Sequence, residues 1–329
     1  MKVSIVIPVF NVSDYVERCL NSVMAQTYTD LECIIVDDCG TDDSIEKCER
    51  MIAKYEGPIE FRILHHERNR GLSAARNTGT NAAKEEYIYF LDSDDEIMPD
   101  CIALMTAETQ ENPEVEMVIG AVETDTSYNY SKWALFQEKH YINGNLEIRR
   151  LFFGKPSQLP VTAWNKLLKR EFLIKNGLRF VEGLLCEDQV WSFELMQHCR
   201  SLCIIPDRTY RYYNVEKSIM NTLSYSKHCE SVCAILEKTV PMIKGKAFSL
   251  QVYYCIDLLF EFYGGLRRKR YQKVARQLSW KLMMIGHPLL AIQTRFYFWL
   301  STVLHLKKYE KRLYNSIENK YCTASGSCS

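Results

Sequence analysis

The sequence has no charge of either sign to spare. Its 41 lysines and arginines balance 41 aspartates and glutamates over 329 residues. No nucleic-acid partner is expected from that balance, because tracking phosphates needs a basic surface. There is no run of about 18 uncharged apolar residues, so no spanning helix is expected. The 13 cysteines form no CxxC pair, which argues against a zinc site or a disulfide scaffold and for reduced thiols in a cytosolic protein. The first apolar run, VSIVIPVF, is short, contains Pro8 and is followed by no small-residue cleavage site; it reads as a strand, not a signal peptide. A glycine-rich turn after that strand is missing too. PVFNVSD has no glycine where a dinucleotide-dependent oxidoreductase needs GxGxxG, and a sugar-nucleotide pyrophosphorylase would also need a glycine-rich phosphate loop near this point. No internal repeat is found.

Apolar residues at 47% and charged residues at 25% are ordinary for a globular protein, and the length allows one large domain with additions or two domains. Residues 1–123 alternate strand and helix patterns. Strands are expected at 2–10, 31–36, 61–65, 87–91 and 117–122, with helices at 44–55, at 72–83, after Pro99, and from a cap at Ser13 with Val16, Leu20 and Val23 on the apolar face. Near-continuously apolar strands separated by amphipathic helices predict an α/β fold with a mainly parallel, Rossmann-like sheet covered on both faces. Residues 124–222 are less regular and form the second half of the same expected domain, 1–222. From 223 to 329 the chain reads as a mostly helical extension.

Negative charge collects at the strand ends. Asp37 and Asp38 close the second strand, and YFLDSDDEIMPD at 89–100 runs from a core strand into Asp92, Asp94 and Asp95. Any one of these residues could simply solvate a strand terminus or cap a helix. Two acidic strand ends converging at the carboxyl edge of an open α/β sheet point instead to a ligand site. Without histidine or cysteine nearby, such oxygens suit a hard cation, Mn2+ or Mg2+, that bridges to phosphate. Asp92 and Asp94, two apart on an extended chain, point to the same side.

SIVIPVFN, LECIIVDDCGTDDS, NRGLSAARNTG and YFLDSDD, in this order and at these intervals, resemble glycosyltransferase family 2, whose members have the GT-A fold. The resemblance is strong over roughly the first 125 residues and looser through WNKLLKREFL and EDQVW to about residue 213. It implies that Pro8, Phe10 and Asn11 form the floor of a nucleotide site. It makes Asp38, with Asp37 beside it, the acceptor for a uracil N3 hydrogen. Asn69 and Arg76 would line the base and diphosphate region. Asp92 and Asp94 match the family's DxD motif, with Asp92 near the ribose, Asp94 on the metal and Asp95 as a further ligand. Two departures stand out. The usual VDDGSTD appears as VDDCGTD, with glycine still in the turn. Where the family often has a metal-binding histidine after the last strand, this sequence offers Tyr212, Tyr213 and Asn214.

GLLCEDQVWSFEL resembles the family's ED motif, which implies Asp188 as general base and Glu187 as the alternative base or an acceptor contact. Alone, the pair would read as first-turn acids on a helix. Trp164 fits either stacking on an acceptor sugar or anchoring a loop to the core. Lys166, Lys169 and Arg170 fit an acceptor phosphate or a solvated face. Leu289, Ile292, Phe296, Trp299, Leu300, Val303 and Leu306 recur at helical spacing near RRKR at 267–270. That pattern fits a helix lying on an anionic membrane or one packed against the catalytic domain. The expectation is an inverting, metal-dependent transferase that moves a hexose or N-acetylhexosamine from a UDP-sugar to a saccharide or lipid-linked oligosaccharide of a surface polysaccharide, lipopolysaccharide or capsule. Its expected location is the cytoplasm, at or near the inner face of the membrane. The alternative is a nucleotide-sugar-binding scaffold without turnover.

Overall fold

The computed structural model describes residues 2–124, 137–154, 157–215, 224–261, 277, 280 and 281. The chain divides into two compact units. The first comprises Met1–Gly144, Val161–Gly183 and Glu187–Asn221, the second Asn145–Pro160, Leu184–Cys186 and Thr222–Ser329.

The first unit opens with the alternation the sequence predicts: β1 (Val3–Val9), α1 (Val16–Met24), β2 (Leu31–Asp37), α2 (Ser44–Ala53), β3 (Glu60–His65), α3 (Leu72–Ala82) and β4 (Tyr87–Phe90). Every residue of β1 is buried, as a central strand covered on both faces requires. In α1, Val16, Cys19, Leu20 and Val23 recur at helical spacing and are buried. Ser13 does not cap that helix. Tyr15 occupies the cap position, while the Ser13 N–H donates to Asp42 Oδ2 at 2.8 Å and Lys47 Nζ donates to Ser13 Oγ at 2.8 Å, tying the turn to α2. The short-range cap is outcompeted by partners from the next helix.

The chain continues through β5 (Glu96–Ile97), α4 (Cys101–Glu111), β6 (Met117–Thr124), β7 (His140–Asn143), α5 (Asn145–Phe153), β8 (Lys166–Lys169), α6 (Arg170–Lys175), α7 (Glu187–His198) and β9 (Ser201–Tyr212). Among the described residues nine strands form one sheet, ordered β3-β2-β1-β4-β8-β6-β9-β5, with β7 also paired to β9. β3, β2, β1 and β4 are mutually parallel. The expected mainly parallel sheet gives way beyond them to a mixed one, because β8 enters antiparallel between β4 and β6, and β5 and β7 run antiparallel to β9. Strand order reverses at β1, whose neighbours are β2 and β4. The register there sets Val9 beside Asp37, so the carboxyl ends of β1, β2 and β4 share one edge.

In the second unit, α5 packs with two helices that follow far along the chain, α8 (Tyr225–Met242) and α9 (Phe248–Glu261). Phe152 and Phe153 lie 5.6 and 5.5 Å from Tyr254. Arg149, 6% exposed, donates to the carbonyls of Lys244 at 3.0 Å and Lys246 at 2.8 Å. No helix among the described residues is long and apolar enough to cross a membrane. The amphipathic stretch at 289–306 and the RRKR cluster lie outside the described residues.

Candidate active site

At the carboxyl edge, the turns after β1 and β2 face each other. Phe10 is 43% exposed, and Asn11 takes a left-handed backbone (φ 52°) that lets its Oδ1 accept from the Thr41 N–H at 2.7 Å. A cavity of about 150 Å³ opens between them, with Val9, Phe10, Asn11, Asp37 and Gly40 in its lining. Asp37 accepts from the Cys39 N–H at 2.9 Å and meets His65 Nδ1 at 2.9 Å. In this turn the left-handed residue is Cys39 (φ 60°); Gly40 is not needed for that conformation. Pro8 is buried inside β1, paired with Val36.

Asp38 is 2% exposed and organises the loop before α3. Its Oδ1 accepts from the Arg70 N–H at 2.8 Å and lies 2.6 Å from His66 Nδ1, while Oδ2 accepts from the Gly71 N–H at 2.7 Å. His66 Nε2 is 2.9 Å from Thr78 Oγ1. Asn69 stands exposed in the same loop.

α3 carries Arg76 to the centre of the site. Ser73, Ala74, Ala75 and Gly79 make its inner face small enough to press on the sheet; a Cβ on Gly79 would lie 2.2 Å from Val6 Cγ1. Arg76 itself is 1% exposed. Its Nη2 donates to Asp92 Oδ1 at 2.6 Å and its Nη1 donates to Glu187 Oε1 in the first turn of α7. One guanidinium therefore bridges the end of β4 and the helix that carries the ED pair. Phe180, whose ring lies 5.3 Å from the Arg76 guanidinium, is fixed by paired hydrogen bonds with Asn77 and stacks on Trp191.

Charge and burial are in tension here. Burial, reinforced by the charge of Asp92, pushes the Asp94 carboxyl up to about 6. Burial raises Asp95 well above the carboxylate range, aided by Asp94 and Asp92. Both oxygens of Asp95 also hold structural hydrogen bonds, from Tyr210 Oη at 2.7 Å and the Tyr213 N–H at 2.9 Å. Glu187 is raised by burial and by Asp188, against the opposing field of Arg76; Asp188 is raised by burial, again opposed by Arg76. Lys166, fully buried on β8 with its Nζ donating to the Thr162 carbonyl, is pushed down to about 7 by burial.

The motif residues of all three strand ends and of α7 thus meet at one edge, but Trp164 does not join them. It is 4% exposed and stacks on Tyr210 at 4.5 Å and Tyr212 at 5.7 Å, which is the core-anchoring arrangement of the two that the sequence leaves open. Lys166 is equally withdrawn from any acceptor. Sequence patterns gave no sign of Arg18, whose Nη2 donates to the Asp94 carbonyl across 76 positions. Among the described residues no three His, Cys, Asp or Glu side chains are arranged to hold a metal ion. The donors at the end of β4 are carboxylates only, which suits a partly hydrated hard cation completed by phosphate oxygens.

The chain is 29% identical over 250 residues, 72% of its length and 70% of the relative's, to the uncharacterized glycosyltransferase YibD of Escherichia coli. It is also 29% identical over 231 residues, 69% of its length and 65% of the relative's, to the poly(ribitol-phosphate) beta-N-acetylglucosaminyltransferase TarP of Staphylococcus aureus. The fold superposes on the crystal structure of S. aureus TarS residues 1–349 in complex with UDP-GlcNAc with a TM-score of 0.70 at 18% identity, covering 98% of this chain and 92% of that one. The family model of glycosyl transferase family 2 matches residues 4–177, more than half of the chain, and the protein belongs to that family, with its GT-A fold.

Proposed function

We propose that the protein transfers a hexose or N-acetylhexosamine from a UDP-sugar, with inversion, to a glycan acceptor of a surface polysaccharide, lipopolysaccharide or capsule. The observation that carries the proposal is the Arg76 bridge, which sets the DxD strand end and the ED helix around one buried cation. An enzyme that joins donor to acceptor needs those two elements in fixed relation; a nucleotide-binding scaffold does not. The relatives lend support, TarP as a poly(ribitol-phosphate) beta-N-acetylglucosaminyltransferase and TarS by binding UDP-GlcNAc.

In this proposal the uracil rests over the turn of Phe10 and Asn11, with Asp37 nearby. Asp38 accepts its N3 hydrogen: of the four lone-pair sites on a carboxylate, the loop contacts occupy three and leave one on Oδ2. Pro8 supports this floor from within β1, and Asn69 closes the loop side. Asp92, oriented by Arg76, meets the ribose. Asp94, with Asp95 behind it, would hold Mn2+ or Mg2+, which when bound supplies Lewis-acid stabilisation of the departing diphosphate. Asp188 takes the acceptor hydroxyl proton as that oxygen attacks C1 from the opposite face. Burial raises its proton affinity above that of an ordinary aspartate, toward the range useful to a base. Glu187, fixed by Arg76, sets the helix end that presents Asp188 and borders the acceptor.

A screen of UDP-glucose, UDP-galactose, their N-acetylhexosamine counterparts and GDP-mannose, with Mn2+ or EDTA, tests this through released nucleotide. Metal-dependent release from one UDP-sugar is the expected result. UDP binding without turnover on any acceptor would instead support the scaffold alternative.

A further inference from the structure

The proposed mechanism leaves Arg18 without a task. Its Nη2 donates to the main-chain carbonyl of Asp94 at 2.5 Å, and its guanidinium carbon lies only 3.6 Å from the centroid of the Tyr213 ring. Tyr213 is tied to the same acidic turn. Its N–H donates to Asp95 Oδ1 at 2.9 Å, and its hydroxyl donates to Glu96 Oε2 at 2.5 Å. The cation is therefore clasped between the turn after β4 and the residue that follows β9. A second contact from α1, Cys19 Sγ to the Asp92 carbonyl at 3.6 Å, lies beside it.

The turn needs such a clasp. Asp92, Asp94 and Asp95 put three carboxylates into four residues, and a single main-chain hydrogen bond, from the Asp95 N–H to the Asp92 carbonyl at 3.1 Å, closes the turn from within. Where two of these groups are charged together, they repel at this spacing and favour opening. The Arg18 Nε is buried and has no hydrogen-bond partner, so complete satisfaction of its own donors does not explain its placement. The ring face and the turn carbonyl hold it there.

We infer that Arg18, seated on Tyr213, is a positioning residue that fixes the Asp92–Asp95 turn in the conformation that receives the donor diphosphate. The inference rests on the UDP-sugar reading above. Without the clasp, the donor must order the turn as it binds, and that ordering is subtracted from affinity. Lysine is a poor substitute, because only a planar guanidinium can stack on the ring and donate to the carbonyl together.

The test is calorimetric titration of the full chain with UDP in the presence of Mn2+, with melting curves run alongside. Arg18→Met is expected to weaken UDP binding by about 10-fold or more, with little recovery in Arg18→Lys. Tyr213→Ala should show a similar loss and Tyr213→Phe should recover most of it, since the ring and not the hydroxyl carries the cation. A merely structural role would lower the melting temperature but leave Kd of the folded protein unchanged and would not separate Phe from Ala. Unchanged Kd in Arg18→Met, with wild type binding UDP, overturns the inference and leaves the donor reading standing. If Arg18→Met fails to fold, equal and wild-type-like Kd values in the two Tyr213 variants overturn it. A wild-type protein that binds UDP with neither Mn2+ nor Mg2+ overturns the donor reading, and the inference with it.

Discussion

Arg76→Met is the substitution from which the site has most to lose. Methionine keeps an unbranched side chain of similar reach and removes the charge that faces Asp92 at 2.6 Å and Glu187 on the other side. Removing one partner of a buried ion pair costs about 3–5 kcal/mol, because the charge left behind is uncompensated. The loss should depend on pH, with a definite sign. Glu187 and Asp188 already hold protons more tightly in the folded state than carboxylates do in water, through burial first. The stability such groups contribute is present below the ordinary carboxylate range and is lost as pH rises through their raised values. Arg76 opposes that rise, so the variant extends the loss to higher pH. Urea unfolding of both proteins in EDTA should show the full deficit near about pH 8 and a smaller one near about pH 5, where Glu187 is protonated and only the lost bonds to Asp92 remain. A deficit equal at the two pH values, or below about 1 kcal/mol at both, would refute the idea that Arg76 compensates buried carboxylates.

Other perturbations separate the roles assigned at the site. Asp94→Ala should abolish metal-dependent UDP binding by calorimetry, and unchanged affinity would remove Asp94 from the proposed metal site. Asp188→Asn should leave UDP binding intact while transfer falls by roughly 100-fold or more, the usual scale of general-base catalysis, whereas near-normal turnover would move the base to another residue. Trp164→Ala should cost about 3–5 kcal/mol of stability and leave the acceptor KM of the folded protein unchanged, since the ring stacks on Tyr210 inside the core. A raised KM with stability intact would return Trp164 to the acceptor surface.

The parallel half of the sheet was legible because its strands are short, largely apolar runs and β1, β2 and β3 are each followed by a helix. Nothing comparable marks β8. KLLK begins with Lys166, which is fully buried, so a charged residue breaks the pattern inside the core. β9 is interrupted too. SLCIIPDRTYRY has proline, aspartate and arginine at its middle, and its pairing with β6 slips between Ile119 and Ala121 and again before Val122. A bulged strand alternates two patterns out of phase, and periodicity cannot recover it. The antiparallel insertion of β8 between β4 and β6 was hidden for the same reason, and with it the mixed character of the sheet.

The site divides along a similar line. The carboxylates of the proposed site, Asp38, Asp92, Asp94 and Asp188, each occupy a fixed place in a short local pattern, so the motifs suffice to propose them. Their counter-ions could not be paired from sequence, because charge compensation is decided between elements. Arg76 meets Glu187 across 111 positions and Arg18 meets Asp94 across 76. Trp164 stays open between two readings in the sequence, because its surroundings, Tyr210 and Tyr212, come from a strand whose bulged pattern periodicity does not recover. A single guanidinium serving Asp92 and Glu187 has a consequence that no motif carries. The end of β4 and the first turn of α7, the proposed donor and acceptor sides, share one buried charge, so neither carboxylate can shift or change protonation without altering the hold on the other. In the proposed mechanism the shared cation thereby links the geometry that would receive the nucleotide to the geometry that would present the base.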